Sequence, residues 1–166
     1  MVSGTLTAWD VAAATPDPEL PMLTIGDLGI LRAVDEDGQS VIVTITPTYS
    51  GCPAMREIGA DVAHRMRAAG YEDVQVRTAL APPWTTDWIT EEGHHKLTAA
   101  GIAPPSGARR RASAPVPLTL APRPAVRCPH CRSDDTVQDT PFGSTACKSL
   151  HRCRACSEPF EAVKPI

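Results

Sequence analysis

The sequence predicts an α+β fold, a small sheet with packed helices, followed by a tail held together by a metal ion. Three observations carry this. Two β-branched apolar runs flank Asp-Glu-Asp-Gly at 35–38, the pattern of a hairpin. After Pro53 the apolar spacing changes from two to three and four, the period of an amphipathic helix. Beyond residue 127, two Cys-x-x-Cys pairs, CPHC at 128–131 and CRAC at 153–156, are separated by twenty-one residues, the pattern of a four-thiolate site.

TAWDVAAAT at 7–15 favours a short first helix. TPDPELP stops it, because each proline pushes its preceding residue out of the helical region and leaves an acidic loop with Asp17 and Glu19. Strands are predicted over 30–34 and 40–46, with the turn at 35–38; in the second, Val41, Val43 and Ile45 alternate with Ile42, Thr44 and Thr46. Met55, Ile58, Val62, Met66 and Ala69 form the apolar stripe of a helix ending at Gly70. A third strand, VQVRTAL, follows. A loop with Trp84 and Trp88 then leads into a short polar helix with Thr90 as its N-cap.

Composition divides the chain near residue 104. Up to Ala103 there are six Lys and Arg against fourteen Asp and Glu, whereas the remainder has ten against five. The overall charge of −3 thus conceals an acidic part and a basic one. We expect an α+β domain at 1–103, a Pro/Ala/Arg-rich linker at 104–127 and a metal-binding domain at 128–166. Seventeen prolines against seven Trp, Tyr and Phe leave neither domain an extensive aromatic core. The Arg109–Arg111 run reads as part of a solvated basic linker. There is no basic n-region followed by an apolar run, and no segment of membrane-spanning length, so the expected location is the cytoplasm, without membrane attachment. The six cysteines then read as thiols and metal ligands.

Each Cys-x-x-Cys pair can chelate through a tight turn, and the intervening chain is long enough for a hairpin that joins Cys128, Cys131, Cys153 and Cys156 into one tetrahedral site. Zinc is the default occupant of a closed four-thiolate site, and a single iron suits the same ligands. Arg132 stands where glycine often follows the second cysteine, which predicts a different turn conformation there. Cys147 reads as a small buried residue on the strand leading to the second pair, with a fifth-thiolate cluster as the alternative. His130 and His151 are expected to face solvent or bond a loop, and His64, His94 and His95 to lie on polar helical faces.

Cys52 stands apart from the paired cysteines. Proline is favoured at the first helical position, so Pro53 places Cys52 at or just before a helix N-cap, where unpaired N–H groups and the helix dipole favour a thiolate. A nucleophilic or metal-binding thiol and a buried strand-terminating cysteine both fit this position. No histidine or acid is placed in sequence to complete a protease-like dyad.

DPELPMLTIGDLGI at 17–30, VIVTITPTYSGCP at 41–53 and PPWTTDWITEEGHHKLTAAGIAPP at 82–105 together resemble the metal-sulfur cluster assembly family, the SufT-like domain. With CPHCRSDDT and PFGSTACKSLHRCRACSEPFEAVKPI added, the chain resembles the PaaD (PaaJ) family of phenylacetate degradation, whose tail is a zinc ribbon. The resemblance implies an accessory protein of the oxygenase that epoxidises the ring of phenylacetyl-CoA, rather than the enzyme itself. Such proteins mature or repair the oxygenase's metal centres, which are a di-iron site and the iron-sulfur cluster of a flavin reductase. The reactive or cluster-binding cysteine of the assembly family falls on Cys52, its preceding threonine on Thr48, and its acidic positions on Asp17, Glu19 and Asp27. The implied cofactors are a structural zinc at the four tail cysteines and a transient iron-sulfur cluster or iron at Cys52. The implied partners are the epoxidase subunits, its iron-sulfur reductase among them. Pairing with a second copy of the chain as a homodimer stays open, since the sequence does not fix the oligomeric state.

The residues themselves agree with a non-catalytic role, since they hold no flavin or nucleotide fingerprint and no paired Glu-x-x-His. Three other readings stay open. The tail could be a rubredoxin-like electron-transfer module or a zinc-ribbon binding module of the same complex. It could be a nucleic-acid-binding ribbon, against which the acidic first domain argues. Cys52 could be an enzymatic nucleophile, against which the absence of a nearby base argues.

Overall fold

Alternate burial along β2 (Ser40–Ile45) organises the first sheet. Val41, Val43 and Ile45 are buried, and Ser40, Ile42 and Thr44 are half-buried on the opposite face, the two-residue period read from the sequence. The computed structural model describes residues 6–105 and 125–165, so most of the predicted linker at 104–127 lies outside the described residues. Two compact units are present, one reaching to Lys96 and the other starting at Leu97.

In the first unit, β1 (Leu31–Asp37) pairs antiparallel with β2, and β3 (Asp73–Thr78) pairs parallel with β2 on the other side. Strand β1 runs past the predicted limit at Val34, and the turn contracts to Gly38–Gln39 between the paired Asp37 and Ser40. A two-residue hairpin loop requires positive φ, which Gly38 adopts at 60°. Asp35, Glu36 and Asp37 remain exposed, so their backbones join the ladder without burying charge.

The crossover from β2 to β3 is α2 (Ala54–Ala68), which packs against β3. Its buried stripe is Ala54, Ile58, Val62 and Met66 at strict four-residue spacing. Met55 is half-buried and Ala69 exposed, so the predicted stripe is displaced at both ends. The helix stops as predicted at Gly70, whose φ is 105°. There Gly70 N–H donates to the Arg67 carbonyl and Tyr71 N–H to the Met66 carbonyl, a Schellman closure. Helix α1 (Ala8–Ala13) opens with a capping box, in which Thr7 Oγ1 accepts from Asp10 N–H and the Asp10 carboxylate accepts from Thr7 N–H.

The segment between α1 and β1 contributes more than an acidic loop. Leu20, Leu23, Ile25, Leu28 and Ile30 are all buried and supply much of the core of this unit. Gly29, at φ 67°, lies so close to Trp88 that an added Cβ would come within 2.5 Å of its carbonyl oxygen. The Trp84 indole N–H donates to the Leu28 carbonyl at 2.8 Å. Helix α3 (Glu91–Ala99) is capped by Thr90 as predicted, with Gly93 N–H donating to the Thr90 hydroxyl at 3.0 Å.

The second unit is a sheet in the order β4 (Ile102–Ala103), β7 (Pro159–Val163), β6 (Lys148–Cys153), β5 (Thr136–Thr140). The β5–β6 and β6–β7 pairs are antiparallel; β4 lies parallel to β7, with Ile102 opposite Glu161 and Ala103 opposite Ala162. Among the described residues one buried cluster of this unit gathers Ala103, Cys128, Cys153, Phe160 and Ala162. Beside it the Lys148 ammonium and Glu161 carboxylate form a 2.8 Å ion pair with the lysine side chain 6% exposed. No helix among the described residues is long and apolar enough to cross a membrane.

Asp27 fastens the inter-element loop of the first unit. Its Oδ2 accepts from Thr24 N–H at 2.9 Å and from the Lys96 ammonium at 2.8 Å, and Thr24 Oγ1 accepts from Asp27 N–H. Burial pushes the Asp27 carboxyl up, but the Lys96 and Thr24 bonds outweigh it and hold the pKa below the ordinary value. A depressed carboxyl stabilises the fold above its unfolded-state pKa and ceases to do so as pH falls through the lowered one. Asp27→Asn should therefore cost about 1–2 kcal/mol at pH 7. Urea titrations of the two proteins should show this gap narrowing below pH of about 4.

Candidate metal centre and the Cys52 turn

The end of β6 and two tight turns bring the tail cysteines together. In the first turn Arg132 N–H donates to the Cys128 carbonyl and Cys128 N–H to the Ser133 carbonyl; in the second, Cys153 N–H donates to the Glu158 carbonyl. Both turns need a residue with positive φ after the second cysteine, and Arg132 and Ser157 adopt 64° and 65°. The sequence-based expectation of a different turn at Arg132 is therefore corrected. Arginine takes the left-handed conformation that glycine would supply, because closing the turn on one metal requires it.

The ligand atoms of Cys128, Cys131, Cys153 and Cys156 all lie within 4.8 Å of one another, with Cys128–Cys156 sulfurs 3.8 Å apart and Cys131–Cys153 sulfurs 3.4 Å apart. A tetrahedral site with zinc–sulfur bonds near 2.3 Å has edges of about 3.8 Å, so this donor set fits one such ion. Cys128 and Cys153 are fully buried, Cys156 is half-buried and Cys131 exposed. The thiols titrate very differently. The Cys156 N–H bond, ahead of burial, governs Cys153 and draws it down to about 7. The Glu158 N–H favours a Cys156 thiolate, but burial and three neighbouring sulfurs push that thiol up to about 12. A cation at the centre removes this conflict, so metal uptake releases protons.

The remaining tail residues are not brought into the site. Cys147 is half-buried just before β6, 3.1 Å from the Thr145 hydroxyl, and does not join the sulfur group. His130 is exposed. His151 is buried rather than facing solvent; its Nε2 lies 2.9 Å from Ser149 Oγ, its ring stacks on Phe160, and burial pushes its pKa down.

Cys52 sits in the turn between β2 and α2. Its N–H donates to the Tyr49 carbonyl at 3.2 Å, and its carbonyl accepts from Met55 N–H at 3.4 Å. Pro53 is the N-cap residue, already helical at φ −68° and ψ −25°, so Cys52 directly precedes the cap. No side chain caps this helix start. Gly51 is at φ 87°, with nothing within 4 Å of where a Cβ would stand, which leaves open space beside the half-buried thiol. Thr48 is half-buried in the same turn.

Of the acidic positions, Asp17 is buried; its Oδ1 accepts from Glu19 and Leu20 N–H at 2.9 and 2.8 Å. Burial raises its pKa over the opposing pull of these bonds, and the Glu57 charge adds to the rise. Glu57 lies in the first turn of α2, the helix whose start Cys52 precedes. Glu19 is half-buried, whereas Asp27 is engaged with Thr24 and Lys96. Sequence reasoning missed Glu57 and Lys96. The available signal was that Lys96 is the only lysine before residue 148, facing an excess of carboxylates. Among the described residues, the four tail cysteines alone form a group of three or more potential ligands; Cys52 offers one.

Residues 13–78 match the family model described as iron-sulfur cluster assembly protein, and residues 112–164 the model of the PaaD zinc beta ribbon domain. A protein of Escherichia coli (strain K12), provisionally named as one of the subunits of 1,2-phenylacetyl-CoA epoxidase, is 44% identical over 158 residues, spanning 95% of this chain and 91% of that one. The chain belongs to the PaaD family of phenylacetyl-CoA epoxidase subunits. Among solved structures, a domain of unknown function, DUF59, from Bacillus anthracis superposes with a TM-score of 0.50 at 26% identity, over 54% of this chain and 87% of that one. In this PaaD-family chain the residues matching the assembly model fall in the first unit and those matching the ribbon model in the second.

Two outcomes follow for the ribbon. A left-handed conformation costs a non-glycine residue about 1–2 kcal/mol, and more if it is β-branched. Arg132→Gly should therefore raise the melting temperature of the metal-loaded protein and Arg132→Val lower it. Chelation should unfold β5–β7, read as loss of backbone amide protection in the second unit with protection in β1–β3 retained.

Proposed function

We propose that this chain is an accessory factor that matures or repairs a metal centre, iron-sulfur or di-iron, of a phenylacetyl-CoA epoxidase, and is not itself catalytic. The observation that carries the reading is Cys52, a single thiol at an uncapped helix start beside the open space at Gly51, in a unit of the iron-sulfur cluster assembly type. The name of the Escherichia coli relative supports the choice of client.

One thiolate fills one coordination position on iron. Cargo held at Cys52, whether a cluster or iron, keeps its other positions for ligands of the donor or the recipient, which suits transfer by ligand exchange. Thr48, Asp17 and Glu19 would support this turn, and Asp27 would act through the fold by its Lys96 pair. The four tail cysteines leave no open position and would hold a structural zinc. The protein would act in the cytoplasm, where thiols stay reduced. Its partners would be the epoxidase subunits, including the iron-sulfur reductase.

Metal and sulfide analysis of anaerobically purified wild type, Cys52→Ser and Cys128→Ser tests the reading. Cys52→Ser should fold, retain one zinc per chain and leave the epoxidase poor in iron when the two are produced together. Cys128→Ser should lose the zinc. Normal iron loading of the epoxidase beside Cys52→Ser would remove Cys52 from its role. A red wild-type preparation with iron in the ribbon would favour electron transfer instead.

A further inference from the structure

β3 is an edge strand, and among the described residues it pairs with β2 alone. Asp73 N–H donates to the Gln39 carbonyl and Ala79 N–H to the Ile45 carbonyl, both toward β2. Backbone polar groups alternate sides along a strand, so Val74, Val76 and Thr78 present theirs to the open edge. Natural edges are commonly blunted by proline, lysine, bulges or like charges. The opposite edge, β1, has such protection, with Asp35, Glu36 and Asp37 in a row and a register shift between Leu31 and Ala33. The β3 sequence, Asp-Val-Gln-Val-Arg-Thr, contains no proline, no lysine and no charge run.

We propose that the open edge of β3 pairs antiparallel with β3 of a second copy of this chain, joining two three-stranded sheets into one of six strands. The sequence of β3 is complementary to itself in one register. With the twofold axis at Gln75, Asp73 of each copy stands opposite Arg77 of the other, and Val74 stands opposite Val76. The backbone fits the same register. Val74 and Val76, whose N–H and C=O groups face outward, fall at hydrogen-bonded positions. Asp73, Gln75 and Arg77 fall at the non-bonded positions, where opposed side chains approach most closely.

The faces agree too. Val74 and Val76 pair with buried Val41 and Val43 and are themselves half-buried, so pairing across the axis extends the apolar side of the sheet. Asp73 and Arg77 are exposed. The Arg77 guanidinium bonds within its own strand to Gln75 Oε1 at 3.1 Å, which holds it over the strand. Shifting the register by two residues in either direction separates the charges and shortens the overlap. This pairing does not depend on the role of Cys52.

Sedimentation of the full metal-loaded chain over a range of micromolar concentrations tests the proposal. Wild type should show a monomer–dimer equilibrium. Arg77→Asp alone and Asp73→Arg alone set like charges opposite each other at two symmetric positions and should weaken the dimer about tenfold. The double reversal, Asp73→Arg with Arg77→Asp, should restore it. Val76→Pro removes an outward donor while sparing the ladder to β2, and should abolish the dimer with the far-ultraviolet dichroism unchanged. Should Val76→Pro misfold, the charge reversals decide alone. A wild-type monomer at every concentration overturns the proposal, as does a dimer indifferent to the single reversals or not restored by the double. A chain that gains mass only with epoxidase subunits also overturns it.

Discussion

Four sulfur atoms held within 4.8 Å of one another cannot all carry charge unless a cation stands among them, and the second unit is built around that constraint. Its apolar core cluster, among the described residues, includes two of the metal-site cysteines. With a metal bound, folding, chelation and proton release there would be coupled. The left-handed turns at Arg132 and Ser157 would be held against their intrinsic preference by that coupling.

The first unit is held differently. Its apolar loop over Leu20–Ile30 is closed by polar contacts of short reach, the Thr24–Asp27 exchange and the Lys96 ammonium, and by the Trp84 indole on Leu28. In the same loop Asp17 is buried, its carboxyl raised by burial first and, least, by the charge of Glu57 in the first turn of α2. Proline and glycine on either side of Cys52 then fix the backbone at the thiol, while the side chain keeps access to solvent. One unit thus gathers four sulfur atoms at one point, and the other leaves a single thiol beside open space.

Much of this was legible in the sequence where periodicity or spacing carried it. The alternation at 41–45 and the four-residue stripe of α2 are imposed by burial on one face, so they show directly. The stripe was displaced at its ends because alanine is too small to mark a face: Ala54 is buried and Ala69 is not. The Cys-x-x-Cys pairs were legible because chelation fixes their spacing. The loop at 20–30 was not, since its buried residues follow no helical or strand period. Nor was the extension of β1 through three carboxylates, which an exposed edge tolerates. His151 was misplaced because a sequence neighbour of a ligand says nothing about which sheet face it occupies. For the Cys52 turn, residue type and capping gave the position but left the reactive and structural roles equal. Its relation to Asp17 through Glu57 required the fold.

The two-residue strand β4 has a topological consequence. Ala103 and Cys128 share one core cluster, so residues on both sides of the Arg-rich stretch belong to the same unit. Cys128 is at once a member of the four-thiol group and a core residue, so the cluster that anchors β4 is set by the same side chain that would hold the metal.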